Sequence, residues 1–256
     1  MDGPHWEEVV KAPNAEQITL LDVQEHDTRL SQIIHRLNSL PQTGQLAELR
    51  ERVARLRKEV IAAQTIVSDL EREQLKADAD VDLVRERSRK DQELLDSGSI
   101  SDPKQLQSLQ SEIESLAARQ IDLEDVELEV MERLEGAKAA VVQLTGDLAA
   151  AEAEEQQLAD ELAGLEAGIA EERAKVTSER EEIARDVSAD LLALYEKIRA
   201  DHGAVGAARL HQGRCEGCRL ELPPTEVTAL KAAAEDEVLR CEECRCILVR
   251  TPHSGI

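Results

Sequence analysis

Apolar residues recur along most of this chain at alternating intervals of three and four, the spacing of a helical seam. Leu20, Val23, Leu30, Ile34 and Leu37 form a first stripe, interrupted only by Asp27. A second runs through Leu46, Leu49, Val53, Leu56, Val60, Ala63, Val67, Leu70, Ala77, Val81, Val84 and Leu95. Between them stand Pro41 and Gly44. Proline removes a ladder donor and clashes with the preceding turn, so a kink is expected near residues 39–44.

The segment Asp96-Ser-Gly-Ser-Ile-Ser-Asp-Pro103 is the clearest turn in the chain. Asp102 is placed to cap the next helix, with Pro103 first in it and Gln105 able to close a capping box. From Leu106 one frame holds Leu106, Ile113, Leu134, Val141, Leu148, Leu162, Ile169, Val176 and Ile183, and its companion Leu109, Leu116, Leu123, Val130, Leu144, Leu158 and Leu165. Glu127, Glu155, Glu172 and Glu179 fall on the same seam and weaken it. A single helix from Pro103 to about residue 199 would span roughly 145 Å.

A short capped turn between two long stripes favours an antiparallel hairpin, with facing residue numbers summing to roughly 200, so that Val60 lies near Val141 and Val84 near Leu116. Gly164 and Gly168 would then lie near the Pro41 break and admit a kinked partner. A parallel coiled coil between chains is the alternative, and assembly of hairpins into homo-oligomers stays open. The expected fold is mainly α: an irregular lead-in over residues 1–15, a coiled-coil hairpin over 16–202, and a small C-terminal β domain over 203–256.

Composition agrees with long helices rather than a ball-shaped core: 33% of residues are charged, and there is no Phe, one Trp and one Tyr. The net charge of −23 excludes nucleic-acid binding by the bulk field of the chain. Residues 203–256 hold 7 basic and 8 acidic side chains, so the charge sits on the helices. No apolar run approaches a membrane span, and the first ten residues lack the apolar core of a signal peptide, so a cytoplasmic location is expected.

All five cysteines follow residue 214. Cys215-Glu-Gly-Cys218 and Cys241-Glu-Glu-Cys244 are two C-x-x-C pairs with 22 residues between them, a spacing read as one four-cysteine zinc site. Each tight turn aims two thiolates at one ion, and four such ligands suit tetrahedral Zn²⁺, one per chain. Four thiolates leave no open position, so the metal reads as structural. A redox dithiol or an iron-sulfur cluster is the competing reading. Cys246 is left over, either a bystander or a substitute for Cys244, and His211 reads as a strand residue. Short strands are expected over 207–210, 238–240 and 247–250, with an inserted helix over 225–234.

No H-E-x-x-H, Walker or G-x-S-x-G motif appears, so no enzyme is expected. Arg209, Arg214, Arg219 and Arg245 are the candidate partner-binding residues, with Arg240 and Arg250 nearby. The bland alternative is that they offset Glu216, Glu221, Glu242 and Glu243.

Leu40-Pro41, Asp102-Pro-Lys-Gln-Leu-Gln107, Leu123-Glu-Asp-Val-Glu-Leu-Glu129, Leu194-Tyr195, Leu222-Pro223-Pro224 and the two C-x-x-C pairs together make the chain resemble the bacterial C4-type zinc-ribbon proteins with an N-terminal helical hairpin. The resemblance covers nearly the whole chain. It implies an adaptor whose partners are proteins, transcription components among them, or nucleic acid such as messenger RNA. After Cys244 the family usually has Gly-Arg, where this chain has Arg245-Cys246. That departure leaves open the shape of the second metal-binding turn and any role of that arginine. The function expected is a zinc-binding scaffold presenting its ribbon to a protein, with a nucleic-acid-binding regulator as the alternative.

Overall fold

The computed structural model describes residues 10–203 and 205–255. These form helices α1 (Asn14–Asn38), α2 (Pro41–Asp96), α3 (Pro103–Ala184), α4 (Ala189–His202) and α5 (Pro224–Ala232), with strands β1 (Ala207–His211), β2 (Arg214–Cys215), β3 (Leu239–Arg240) and β4 (Ile247–Val249). They divide into two compact units, one of Gln42–Asp160 and one combining Met1–Pro41 with Glu161–Ile256.

The first unit is an antiparallel helical hairpin. Leu46, Leu49, Val53, Val60, Leu70, Ala77 and Val81 from α2 are buried, as are Leu109, Val130, Leu134 and Ala151 from α3. Other seam residues, such as Ile113, Leu116, Val141 and Leu148, are half-buried, because two helices cover only one side of each other. Cross-helix ion pairs Arg52–Glu154, Glu73–Arg133 and Arg87–Glu112 fix the antiparallel direction. Val141 shares a groove with Gln64 and Val67, so the register lies about one turn from the expected Val60 pairing. At the tip, Gly98 turns the chain at φ +64°, and Asp102 Oδ1 accepts the Lys104 N–H at 3.0 Å. Gln105 does not return the bond, so the cap is one-sided among the described residues.

In the second unit α1 lies along the end of α3, with Ile33, Ile169 and Val176 buried together and Leu30, Leu37 and Leu40 against them. Seam glutamates find cations here: Glu172 pairs with both Arg29 and Arg36. The break before α2 falls at Ser39 and Leu40, with Pro41 first in the next helix, as the sequence predicts. Gly164 and Gly168 play no steric part, since a Cβ at either would meet nothing within 4 Å.

Two further expectations are corrected. The helix expected to reach residue 199 stops at Ala184 and restarts at Ala189, because Val187 turns into the core (6% exposed) and the Ser188 N–H is held by Glu16 Oε2 at 3.0 Å. Of the lead-in, Pro4 and Trp6 lie outside the described residues. Its last part is ordered: Lys11 bridges Glu237 in antiparallel fashion, Ala12 N–H donates to Asp236 O at 2.8 Å, and helix begins at Asn14.

Strand order is β2-β1-β4-β3, with β1 and β4 parallel and the outer pairs antiparallel. Period-two alternation then gives the sheet two buried faces. Ala207, Ile247 and Val249 pack with Leu20 and Val23 of α1 and Leu191, Tyr195 and Ile198 of α4. Ala208, Leu210 and Leu248 face the other way, toward Leu222, Leu230, Leu239 and the cysteines. The ribbon is thus built onto α1 and α4 through a shared core. Among the described residues no helix is long and apolar enough to cross a membrane.

Candidate metal centre

Two matching turns bring the four cysteines together. In the first, Arg219 N–H donates to Cys215 O at 2.8 Å and Cys215 N–H to Leu220 O at 3.0 Å. In the second, Arg245 N–H donates to Cys241 O at 2.9 Å and Cys241 N–H to Cys246 O at 3.0 Å. Each ends on an arginine in the left-handed region, φ +64° at Arg219 and +62° at Arg245. Glycine takes this conformation without strain, yet here both positions are Arg. The departure after Cys244 therefore leaves the turn intact: the hydrogen bonds impose the conformation, and Arg245 adopts it as Arg219 does.

The Sγ atoms of Cys215, Cys218, Cys241 and Cys244 all lie within 4.8 Å of one another. Cys215 and Cys244 are 3.8 Å apart, and Cys218 and Cys241 3.9 Å. A tetrahedron with Zn–S bonds of about 2.3 Å has edges of roughly 3.8 Å, so the donor set fits one zinc ion. These four residues would hold it, and four thiolates would complete its shell without water.

Cys246 is neither remote nor a replacement. Its Sγ is buried, 3.6 Å from Cys215 and 3.2 Å from Cys244, and it occupies in the second turn the place of Leu220 in the first. The hydrogen bond from Cys246, which outweighs burial, draws the Cys215 thiol down to about 4. The same bond and then burial push Cys246 up. Burial pushes Cys241 up to about 12 and Cys218 upward as well. Gly217 makes room for this fifth sulfur, since a Cβ there would stand 3.2 Å from Cys246 Sγ and 3.1 Å from Ala208 Cβ. His211 is exposed and outside the four-thiol group.

Polar residues of α1 secure the ribbon, and the sequence marked only one of them, as a flaw in the seam. Gln24 Oε1 accepts the Gly206 N–H at 2.7 Å and the Ala207 N–H at 3.2 Å, while Gln17 Nε2 donates to Ala12 O at 2.8 Å. Asp27, 2% exposed, accepts from Tyr195 OH at 2.7 Å, Arg180 at 3.1 Å and Arg199 at 3.2 Å. Gly206 lets the chain pass the Tyr195 ring, where a Cβ would stand 2.6 Å from the ring and 2.9 Å from the Tyr195 carbonyl oxygen. Glu226 of α5 is buried, its Oε1 3.4 Å from the Glu242 N–H at the start of the second turn, and burial raises its carboxyl.

All four candidate arginines are exposed. Arg209 and Arg219 line one polar cleft of about 390 Å³ with Glu25, Thr28 and Glu216. Arg214 is tied to Glu221 at 3.5 Å, and Arg245 stands on the second metal-binding turn. Among the described residues, Arg209, Arg219 and Arg245 form no ion pair. Arg250, by contrast, is spent on the carbonyls of Ala233, Ala234 and Glu237.

Comparison with known proteins covers both parts of the molecule. Residues 23–203 match the CT398-like coiled coil hairpin domain, and residues 214–248 the C4-type zinc ribbon domain. An uncharacterized protein of Mycobacterium tuberculosis is 38% identical over 248 residues, covering 94% of this chain and 98% of that one. Another from Mycobacterium leprae is 30% identical, covering 86% of this chain and 94% of its own. A solved Mycobacterium smegmatis structure aligns with a TM-score of 0.80 at 31% identity, over 94% of this chain and all of that one. The structure of CT398 from Chlamydia trachomatis shares the fold, with a TM-score of 0.65 at 16% identity over 93% and 98% of the two chains.

Proposed function

As the chain belongs to the family of CT398-like coiled-coil hairpin proteins carrying a C4-type zinc ribbon, we propose that it is a non-enzymatic adaptor whose zinc-built ribbon captures a protein partner. The observation that carries this reading is the set of exposed cations Arg209, Arg219 and Arg245, which among the described residues form no ion pair although the helical part of the chain is strongly acidic. Two of the three end the paired cysteine turns, whose hydrogen bonds set their backbone and which a bound metal would tie together. A binding site on a rigid support loses little entropy on docking. The partner presents acidic groups to these arginines. Among the described residues the one Tyr, Trp or Phe side chain, Tyr195, is buried, which argues against single-stranded nucleic acid. Components of the transcription apparatus are the partner class implied by the family resemblance.

The test is crosslinked capture from cytoplasmic lysate by the full chain. Reversal of Arg209, Arg219 and Arg245 to Glu abolishes capture while zinc content and helicity stay unchanged. Reversal of Glu114 and Glu135 on the hairpin to Lys leaves capture intact. Loss with the second set and retention with the first places recognition on the hairpin and refutes the proposal; salt-dependent RNA or DNA retention by the parent chain supports the nucleic-acid alternative.

A further inference from the structure

One face of the hairpin carries a repeating pattern that its own fold does not use. Three ion pairs cross from α2 to α3 on this face: Arg57–Glu152 at 2.8 Å, Glu71–Lys138 at 3.1 Å and Arg85–Glu124 at 2.7 Å. Both partners advance by fourteen residues from rung to rung, two heptads, about 21 Å along the helix. Between the rungs the face is uncharged in the first interval, and in the second exposed apolar residues stand beside Asp78, Asp82 and Glu135. Ile61 (63% exposed) and Val142 (74%) lie in the first interval, and Leu75 (69%), Leu128 (57%) and Met131 (37%) in the second. A groove of about 270 Å³ lined by Gln64, Val67, Lys138, Val141 and Val142 opens in the first interval. Ile61, Leu128, Met131 and Val142 directly follow the seam positions Val60, Glu127, Val130 and Val141, so they flank the seam rather than opposing it. A helix with apolar residues at the seam and beside it is patterned for more than one helical neighbour.

We propose that this face binds a second copy of the hairpin, in parallel alignment and in register, to form a four-helix bundle. The two-fold axis runs along the length of the hairpin, so α2 of one copy lies over α3 of its partner. Each rung has a cation on one helix and an anion on the other, so this rotation sets every cation against an anion: Arg57 meets Glu152, Glu71 meets Lys138 and Arg85 meets Glu124 of the second copy. The same rotation brings Ile61 and Val142 of the two copies into one interval, about 9 Å apart along the axis, and Leu75 into the next, with Met131 about 4.5 Å and Leu128 about 9 Å further along. An end-to-end reversal centred on the middle rung would instead oppose Glu71 to Glu71 and Lys138 to Lys138, and one shifted by half an interval would match only two of the three rungs. Charge complementarity therefore selects the parallel arrangement over the antiparallel one, and an isologous interface closes without leaving a free edge. The rung charges cancel pairwise and the first interval carries no other charge, so the contact is centred there.

Sedimentation velocity of the full chain across a hundredfold concentration series tests the proposal. The parent chain is a dimer that dissociates on dilution. Leu128→Glu with Val142→Glu weakens the dimer at least tenfold with helicity unchanged, as both side chains are already exposed. Ile66→Glu with Leu94→Glu, exposed outside this face, leaves it intact. Fluorophores placed at Ser99 in the hairpin turn transfer energy efficiently between copies only when the copies are parallel. A parent chain monomeric throughout the series overturns the proposal, as does a dimer indifferent to the Leu128 and Val142 changes, or one whose Ser99 labels stay far apart. Capture of another protein's helix on this face by a monomeric chain overturns it equally.

Discussion

Replacing Asp27 with Ala should be among the most damaging single changes in the unit that holds the ribbon. The carboxylate is 2% exposed and takes the Tyr195 hydroxyl at 2.7 Å and two guanidinium groups at 3.1 and 3.2 Å. Breaking a buried charge network from one side costs about 3–5 kcal/mol, because the remaining partners stay desolvated. Here the cost falls toward the lower end. Arg180 and Arg199 keep 17% and 28% exposure and both retain Glu196. The Tyr195 hydroxyl, by contrast, keeps only Gln24 Oε1 at 3.4 Å. We expect about 3 kcal/mol for Asp27→Ala. For Tyr195→Phe we expect about 1.5 kcal/mol, the low end for a bond to a charged acceptor, since Asp27 keeps its two cations. The double variant should cost less than the sum by about 1 kcal/mol, as both changes remove one bond. Urea unfolding of the zinc-loaded chain gives the values, followed by hydrogen exchange at the Gly206 and Ala207 amides, which Gln24 holds. An Asp27→Ala cost under about 1 kcal/mol, or strict additivity with Tyr195→Phe, would mean that desolvation cancels the network and that apolar packing alone secures the ribbon.

Gly206→Ala should destabilise the same unit by about 2 kcal/mol or more, since the new Cβ would meet the Tyr195 ring and carbonyl below 3.0 Å; the same unfolding experiment reads it. Stability should also depend on Tyr195 at high pH. Burial first, and then the bond to Asp27, raise its phenol above the ordinary value of 10.0. A group whose folded value is raised contributes fully below its unfolded value and loses that contribution as pH rises. Stability should therefore fall above pH about 10 more steeply in the parent than in Tyr195→Phe, and equal slopes would contradict the assignment. Cys246→Ser should keep one zinc per chain by elemental analysis, whereas Cys241→Ser should lose the metal; metal loss in the first would make Cys246 a ligand.

The heptads were legible because a seam needs only local periodicity, and the turn at Gly98 and Asp102 because its chemistry is local. The C-x-x-C spacing likewise located the metal centre and its four ligands. What sequence hid depends on partners more than a hundred residues away. Asp27 looks like a flaw in a stripe until Arg180, Tyr195 and Arg199 surround it. Gln24 and Gln17 look like surface polar residues until the ribbon backbone arrives at Gly206, Ala207 and Glu237. The break at Val187 leaves a weak trace in Ser188 and Asp190, a cap-like pair that the continuing apolar rhythm obscured. The arginine after Cys244 seemed to alter the turn, but Arg219 in the same place after Cys218 was already present in the sequence as a sign that it need not.

The most direct test of the adaptor account measures zinc content and partner capture in the same samples as the metal is stripped by a chelator and then restored. If the metal builds the recognising surface, capture falls in step with zinc and returns with it, while the helical circular dichroism of the hairpin changes little. Undiminished capture by the metal-free chain would contradict the account.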